Sequence, residues 1–282
     1  MPEHGQATAL ITGAGSGLGE AMARRFAECG YRLAICDIDG QRAERVLEDL
    51  SAIAPGSFSQ VLDVSLASDW DAAYQRVLTE WGSLNVLINN AGVAAAGNTE
   101  DTPLEDWRWV IDVDLMGVVL GCHRFLGLLR EVGAKGASQC HIINVSSFAA
   151  LAAMPGMSAY ATAKAAVVAF SEQLRAELWE SGVGVSVVCP AFVQTRLLES
   201  MRVHDQGLRD QVESWMRRST VSADDVARQT MDAMASGRFL VLTHSITRRA
   251  WRFKRFFPEA YFRRAAQGSR RLANRRRAEQ AS

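Results

Sequence analysis

The sequence contains few of the residues that crosslink a chain or anchor it in a membrane. Its five cysteines in 282 residues lie far apart and form no CxxC spacing, which argues against both a disulfide framework and a zinc site. No stretch reaches the roughly 18 uncharged apolar residues of a membrane-spanning helix, since Pro155 and Lys164 interrupt the most apolar segment, Phe148–Phe170. We therefore expect a reducing compartment, no metal and no spanning helix.

The N-terminus and the composition exclude further classes of protein. Residues Met1–Gln6 lack a charged region followed by an apolar stretch, so a secretory signal is not expected and a cytoplasmic protein is predicted. Hydrophobic residues make up 48% and charged residues 22% of the chain. These values are close to those of soluble globular proteins and exclude a disordered or fibrous chain.

Charge is balanced in total but unevenly distributed. The net charge is zero, yet residues Ile246–Ser282 hold 12 Arg or Lys against two Glu, so the rest of the chain is acidic. No repeat or linker divides that remainder. We predict one domain over residues 1–245 and a basic, aromatic-rich C-terminal extension over residues 246–282.

Apolar, β-branched runs alternate with amphipathic helical patterns along most of the chain. This alternation predicts stacked βαβ units and a doubly wound, parallel, seven-stranded sheet in a three-layer α/β/α fold. Two long helices are predicted at about Leu104–Arg130 and Ser158–Ser181. The predicted strands are Thr8–Thr12, Arg32–Cys36, Ser59–Leu62, Asn85–Ile88, His141–Val145, Gly184–Cys189 and Phe239–Leu242.

A glycine-rich stretch, Thr12–Gly19, connects the first strand to the first helix. Backbone N–H groups and the helix dipole at such a turn can hold a pyrophosphate, as in a Rossmann fold. The alternative is a turn of the same kind in a sheet that binds nothing. The residues predicted to contact a dinucleotide here are Gly13, Ser16, Gly17, Leu18 and Gly19.

Asp37 lies at the end of the second strand, where a carboxylate can accept hydrogen bonds from both ribose hydroxyls of an adenosine. Its charge repels a 2′-phosphate, and neither Ser16 nor Ile38 is a cation that could neutralise one. NAD is therefore predicted in preference to NADP. The alternative is a solvated aspartate at a strand end. Arg42 is expected to point from the next helix to solvent.

Tyr160 and Lys164 are four residues apart in a predicted helix, so their side chains share one face. A phenol has a pKa of about 10, and a nearby ammonium favours its ionised form. Ser147 precedes Tyr160 by 13 residues and follows a strand, where its hydroxyl could orient a substrate oxygen. Ser146 competes for that role. A tyrosine and lysine pair with this spacing is also common on ordinary helix surfaces.

The ordered set of motifs resembles the short-chain dehydrogenase/reductase family, of the single-domain type with a YxxxK active site. The resemblance covers roughly residues 7 to 245. The matching positions are Thr12–Gly19, Asp37, Asp63-Val64, Asn89-Asn90-Ala91-Gly92, Ser147, Tyr160, Lys164 and Pro190–Thr195.

The resemblance implies a role for each matching position. Asp63 would hold the adenine amino group, Val64 would pack on the ring, and Asn90, followed by Ala91 and Gly92, would contact the adenosine ribose. The nicotinamide ribose would be bound by Tyr160 and Lys164, and the carboxamide by Val193 and Thr195. Ser147 would hydrogen-bond the substrate oxygen while Tyr160 exchanges its proton and hydride passes to or from the nicotinamide.

Two positions depart from the family pattern. Asp114 stands where the family usually has Asn, and a carboxylate cannot donate the amide hydrogen bonds. Placed near Lys164 it would favour the ammonium form, so we expect an altered pH dependence rather than loss of activity. Pro190-Ala191 replaces the frequent Pro-Gly, a change that should be tolerated. Asp114 also motivates the alternative of a catalytically impaired, NAD-binding regulatory or scaffold protein.

Partners are predicted from the family habit and from the apolar pattern. Homo-oligomers would form through the two long helices, with Gly117 and Gly121 permitting close packing. The segment 196–218 matches the variable substrate loop, and its apolar helical spacing favours a hydrophobic substrate such as a fatty-acyl, steroid, terpenoid or aryl alcohol or ketone. That spacing is equally typical of core packing.

The basic extension has two interpretations. It could lie on an anionic membrane surface, or its aromatic residues could dock on the body or on a partner subunit while its last arginines stay disordered. Nucleic acid is not expected as a partner, because the rest of the protein is acidic.

Overall fold

The computed structural model describes residues 6–136, 140–193, 197–203 and 206–268. The strands in this part of the chain are β1 (Thr8–Thr12), β2 (Arg32–Asp37), β3 (Phe58–Val61), β4 (Val86–Asn89), β5 (Ala95–Ala96), β6 (His141–Val145), β7 (Gly184–Val188), β8 (Arg202–Val203) and β9 (Leu240–Val241). Seven of them form one parallel sheet in the order β3-β2-β1-β4-β6-β7-β9. The predicted seven-stranded parallel sheet is confirmed.

Helices cover both faces of this sheet. They are α1 (Gly17–Glu28), α2 (Gly40–Leu50), α3 (Ala67–Trp81), α4 (Leu104–Ile111), α5 (Gly117–Ala134), α6 (Ser158–Glu177), α7 (Leu197–Ser200), α8 (Gln206–Arg217), α9 (Ala223–Ala235) and α10 (Ser245–Phe256). Residues 258–268 are also helical. No helix within the described ranges is long and apolar enough to cross a membrane.

The core lies in two layers, because neighbouring residues of a buried strand point to opposite faces of the sheet. Ile11 packs with Phe26 of α1 and Val46 of α2, whereas its neighbour Leu10 packs in the cluster that holds Trp70 of α3 and Phe125 of α5. All six side chains are essentially inaccessible to solvent. The strands are therefore buried on both faces, as parallel strands must be.

The strand order reverses between β1 and β4. The chain runs outward from β1 through β2 to β3 and then returns to place β4 on the other side of β1. Loops that follow β1 and β4 consequently diverge and leave a crevice at the carboxyl ends of the strands. This arrangement confirms the Rossmann fold and places the glycine-rich turn at the crevice.

The first long helix differs from its prediction. The sequence pattern predicts one helix over Leu104–Arg130, but the structure has α4, then a π-helical turn over Asp112–Met116, then α5. A π turn inserts an extra residue into the helical ladder and rotates the side chains around it. Asp114 lies in this turn and is completely buried.

The role proposed for Gly117 and Gly121 is wrong. A Cβ at Gly117 would lie 2.8 Å from a methyl group of Val64, and one at Gly121 would lie 2.6 Å from the Trp70 ring. Both glycines are buried against the protein's own core. They allow α5 to approach the segment after β3 rather than a partner subunit.

A second, two-stranded sheet was not predicted. β5 pairs in parallel with β8, so the segment after β4 is joined to the segment between α7 and α8. Arg202 strengthens this link, because its guanidinium lies 2.8 Å from Asp106 and 3.9 Å from the centre of the Trp109 ring. The predicted substrate loop is thereby attached to α4.

Candidate active site

One cavity of about 540 Å³ opens at the carboxyl ends of the strands. Its lining brings together nearly all the predicted site residues. Asp114 lies behind the wall, and Thr195 falls outside the described residues. The predicted residues that line it are Gly13, Ser16, Gly17, Leu18, Gly19, Asp37, Ile38, Asp63, Val64, Asn90, Ala91, Gly92, Ser147, Tyr160, Lys164 and Val193.

The glycine-rich turn has the backbone geometry of a phosphate cradle. Gly13 and Gly17 have φ angles of +62° and +56°, which side-chain-bearing residues rarely adopt. A Cβ at Gly19 would overlap the carbonyl of Gly13, and one at Gly13 would lie 2.8 Å from the backbone of Ala91. Free backbone at the N-terminus of α1 therefore fits the pyrophosphate of a dinucleotide.

Asn90 fixes this cradle from below. Its side-chain amide donates to the carbonyls of Thr12 and Gly13 at 2.9 and 3.1 Å. The Thr12 hydroxyl in turn accepts from the backbone N–H groups of Asn90 and Ala91. Asn90 thus ties β4 to the turn after β1, a role that the sequence does not reveal. Its contact with an adenosine ribose stays a prediction.

The Asp37 carboxylate is held in place by backbone donors. Oδ2 accepts the N–H of Gly15 at 2.8 Å, and Oδ1 accepts the N–H of Asp39 at 3.0 Å. Ile38 is 68% exposed beside it at the mouth of the cavity. A carboxylate so fixed at the end of β2 is oriented before any ribose binds.

Arg42 does not simply point to solvent, contrary to the expectation from sequence. It lines the cavity, and its guanidinium lies 3.0 Å from Asp39 and 3.4 Å from Glu199 of α7. The pair with Glu199 connects the Asp37 end of the cavity to the predicted substrate loop. The partly exposed positions of both ion pairs make each one weak.

Asp63 and Val64 follow β3 at the same end of the cavity. The Asp63 carboxylate accepts from the backbone N–H and the hydroxyl of Ser65 at 2.9 and 2.7 Å. Val64 is buried, and its carbonyl accepts the indole N–H of Trp70 at 2.9 Å. The segment is therefore rigid, and the adenine contacts implied for both residues remain predictions.

The structure distinguishes between the two candidate serines. The Ser146 hydroxyl is buried and donates to the carbonyl of Lys164 at 2.7 Å, so it cannot donate the same proton to a substrate oxygen. The Ser147 oxygen accepts the N–H of Ala149 at 3.1 Å, and its hydroxyl lies close enough to the Tyr160 phenol to lower the pKa of that group. Ser147 is therefore the serine that faces Tyr160.

Two neighbouring oxygen-bearing groups hold the buried ammonium of Lys164 in place. Its Nζ lies 3.2 Å from Oδ2 of Asp114 and donates to the carbonyl of Val145 at 3.2 Å. The other carboxylate oxygen of Asp114 accepts the backbone N–H of Val93 at 2.7 Å. A Cβ at Gly92 would lie 3.0 Å from Lys164 Nζ, so any larger residue there would push the ion pair aside by a few tenths of an ångström.

Burial decides the protonation of the three central groups. It raises the pKa of the Tyr160 phenol, and the opposing effects of Lys164 and of the Ser147 hydroxyl are smaller. The sequence-based expectation that Lys164 lowers this pKa is correct for its own contribution but not for the total. Burial also raises the pKa of Asp114. For Lys164, burial lowers the pKa, but the charges of Asp114 and Tyr160 raise it above its usual value.

The opposite end of the cavity is apolar. Met154, Met157 and Phe192 line it together with Met201, Val212 and Met216 of the substrate loop. Phe192 packs against Trp215 at 5.0 Å between ring centres. The apolar stripe of α8 thus both lines the cavity and packs with its neighbours, so the two interpretations of its pattern are compatible. Trp109 and Met157 are lining residues that the sequence did not reveal.

Comparison with known proteins agrees with this geometry. A family model described as short chain dehydrogenase matches residues 7–206. The chain is 40% identical over 203 residues to "Probable oxidoreductase EphD" of Mycobacterium tuberculosis, which covers 72% of this chain and 34% of EphD. It is 34% identical to "2-(R)-hydroxypropyl-CoM dehydrogenase" of Xanthobacter autotrophicus, over 72% of this chain and 81% of that protein. The chain therefore spans about a third of the length of EphD.

A solved structure supports the same assignment. The short chain dehydrogenase/reductase of Burkholderia phymatum, crystallised in complex with NAD, superposes with a TM-score of 0.84 at 32% identity, covering 92% of this chain and 96% of that one. From the family match, the sheet order and the shared cavity of the glycine-rich turn, Ser147, Tyr160 and Lys164, we conclude that this chain belongs to the short-chain dehydrogenase/reductase family of oxidoreductases.

Proposed function

We propose that the protein interconverts a secondary alcohol and a ketone with NAD, on a hydrophobic substrate. The observation that carries this proposal is the arrangement of one cavity, which is lined by the neighbouring Ser147 hydroxyl and Tyr160 phenol and by the glycine cradle. A proton donor and an orienting hydroxyl therefore lie where a substrate oxygen can reach both.

Each catalytic side chain has a distinct task in this proposal. In alcohol oxidation, the Ser147 hydroxyl positions the substrate oxygen and the ionised Tyr160 accepts the proton of the substrate hydroxyl. The bound nicotinamide supplies the acceptor for the hydride that leaves the substrate carbon. In ketone reduction, Tyr160 donates its proton to the carbonyl oxygen. The raised pKa of Tyr160 keeps the phenol protonated at neutral pH, which suits it as the acid.

The preference for NAD rests on the anionic end of the cavity. The Asp37 carboxylate is fixed by two backbone N–H groups and would repel a 2′-phosphate. Among the described residues that line the cavity, Arg42 is the only cation near Asp37. Its charge is already shared with Asp39 and Glu199. These contacts support NAD rather than NADP.

The apolar end of the cavity supports a hydrophobic substrate. Methionine side chains from three segments, Met154, Met201 and Met216, line it, and such flexible thioethers adapt to irregular apolar ligands. We extend the proposal to a homo-oligomer, as the family resemblance implies, and to a location in the cytoplasm. The competing idea of an impaired regulatory protein rests on Asp114 alone, and Asp114 keeps Lys164 paired rather than removing it from the site.

A substrate screen tests the proposal. Purified protein is incubated with NAD or NADP and secondary alcohols of increasing size, and formation of the reduced nucleotide is recorded. We expect turnover with NAD that rises with the apolar size of the alcohol. Cofactor binding without turnover across the whole panel would favour the regulatory alternative.

A further inference from the structure

The C-terminal extension contacts the body of the protein through residues as far along the chain as Tyr261. The ammonium of Lys254 donates to the carbonyl of Leu151 at 2.8 Å, and the Tyr261 phenol lies close to the backbone of Ala153. Trp251 packs on the cluster formed by Leu242 and its neighbours. These contacts confirm that the extension docks on the body, and they fix its orientation.

The outward side of this extension carries two kinds of group, which we call the basic aromatic face. Three phenylalanines are exposed where α10 meets the following helix, at 72% for Phe256, 60% for Phe257 and 45% for Phe262. They are flanked by arginines that no carboxylate neutralises within the described ranges. The arginines of this face are Arg249, Arg252, Arg255, Arg263 and Arg264.

The charge of this face is one-sided. Residues 245–268 hold seven basic side chains and one acidic residue, Glu259, and five more arginines follow in the sequence. An acidic protein partner would neutralise the arginines but would leave the exposed phenylalanines without an apolar layer. If a second copy of this chain met this face through its own basic aromatic face, like charges would come together. An anionic lipid surface offers headgroup charge to the arginines and an acyl layer to the phenyl rings.

We propose that the basic aromatic face binds the surface of an anionic membrane. Phe256, Phe257 and Phe262 enter the boundary between headgroups and acyl chains, and the arginines contact lipid phosphates. Binding of this kind is peripheral and reversible.

This placement connects the membrane surface to the cavity. Lys254 and Tyr261 hold the segment that joins Ser147 to α6, and the same segment contributes Met154 and Met157 to the apolar end of the cavity. If the proposed function holds, a lipophilic alcohol could pass between the membrane surface and the apolar end of the cavity along this segment.

Vesicle co-sedimentation tests the binding without any need for turnover. The full chain is pelleted with vesicles of phosphatidylcholine alone or of phosphatidylcholine and phosphatidylglycerol in equal parts, at low and high salt. The variants are Phe256→Ser/Phe257→Ser and Arg249→Ala/Arg252→Ala. Matched controls are Trp179→Ser, an equally exposed aromatic at 73%, and Arg24→Ala/Arg238→Ala, two exposed arginines outside the face. NAD binding of every variant checks its fold.

The proposal predicts pelleting only with the anionic vesicles, weakened by salt. Each arginine near an anionic surface contributes about 1 kcal/mol, so removal of two weakens the partition coefficient about 30-fold. The double phenylalanine variant loses at least tenfold, and both controls bind like the unchanged protein. Equal pelleting with neutral vesicles, no pelleting, or normal binding by the face variants overturns the proposal. A change of mass in light scattering for the phenylalanine variant, with vesicle binding intact, assigns the face to a second copy and also overturns it.

Discussion

The ammonium of Lys164 lies 3.2 Å from the carboxylate of Asp114, and both side chains are buried beside the Tyr160 phenol. The family pattern places an asparagine at the position of Asp114. The carboxylate adds a negative charge that raises the pKa of both Lys164 and Tyr160. The pKa values of Lys164 and Tyr160 therefore depend on the charge of Asp114.

Replacing Asp114 by asparagine should move the pH profile of alcohol oxidation toward lower pH. Oxidation accelerates as Tyr160 loses its proton, and removal of the Asp114 charge removes one of the causes that raise the pKa of Tyr160. The measurement is kcat/KM against pH for the two proteins. Asp112→Asn is the control, because Asp112 lies exposed in the same π turn. An unchanged profile in Asp114→Asn would show that the carboxylate does not act on Tyr160.

Replacing Gly92 by alanine should lower kcat roughly tenfold to a hundredfold, since small displacements of catalytic groups have effects of that size. The new Cβ would lie 3.0 Å from Lys164 Nζ and 3.2 Å from Asp114 Oδ1, so the ion pair must shift. The measurements are steady-state kinetics and thermal unfolding. A lower kcat with an unchanged melting temperature indicates a displaced ion pair rather than a misfolded protein.

Gly127→Ala is the matched control for this substitution. Gly127 lies exposed in α5, and nothing lies within 4 Å of its added Cβ. This change should leave kcat alone and stabilise the fold by about 0.5 to 1 kcal/mol, the usual difference between glycine and alanine in a helix. Equal kinetics for the two variants would contradict the steric account of Gly92.

Replacing Asp37 by serine should raise KM for NAD by about tenfold or more, because hydrogen bonds to a charged acceptor contribute about 1.5 to 3 kcal/mol each. It should also narrow the preference for NAD over NADP, because the repulsion of a 2′-phosphate is lost. Kinetics with both nucleotides measure the two effects. Asp49→Ser removes an exposed carboxylate from α2 and should change neither. A preference that survives in Asp37→Ser would locate the discrimination elsewhere.

His141 should make the fold less stable in acid. Burial lowers its pKa from 6.5 to about 4, and its Nε2 lies 2.9 Å from the Ser186 oxygen, which donates to the carbonyl of Arg238. The imidazole is therefore neutral in the native state. As pH falls below 6.5, His141 becomes protonated in the unfolded chain but stays neutral in the native protein. The free energy of unfolding therefore decreases until about pH 4.

The loss attributable to His141 is about 3 kcal/mol over this window, since each pKa unit corresponds to about 1.4 kcal/mol. The free energy of unfolding is measured in urea for the protein and for His141→Asn, from neutral pH down to the acid end of the window. The difference between the two curves of free energy against pH gives the contribution of His141. His123→Asn, at an exposed site on α5, should leave the pH dependence unchanged. Parallel curves for the protein and His141→Asn would contradict the assignment.

Local patterns predicted the sheet and most of the site. Residues such as Tyr160 and Lys164 lie on one helix, so their spacing alone places them on one face. The sequence could not show that Asp114 is buried against Lys164, because that contact needs a π turn and the packing of two distant helices. The ion pair between Arg42 and Glu199 joins positions 157 residues apart, which no local pattern encodes.

The inward orientation of Gly117 and Gly121 was missed for a related reason. A helix that packs on the sheet can carry small residues on its buried face as well as on an outer face. Only the position of Trp70 relative to α5 shows which of the two applies. Contacts between side chains of different helices and strands therefore cannot be predicted from local sequence patterns.

The central claim is that Tyr160 exchanges the proton of the substrate oxygen. The most direct measurement is the rate of NAD-dependent alcohol oxidation by Tyr160→Phe, with NAD affinity determined in parallel. Loss of general acid–base catalysis predicts a rate at least about 100-fold lower, with NAD still bound. Turnover that persists near the rate of the unchanged protein would contradict the account.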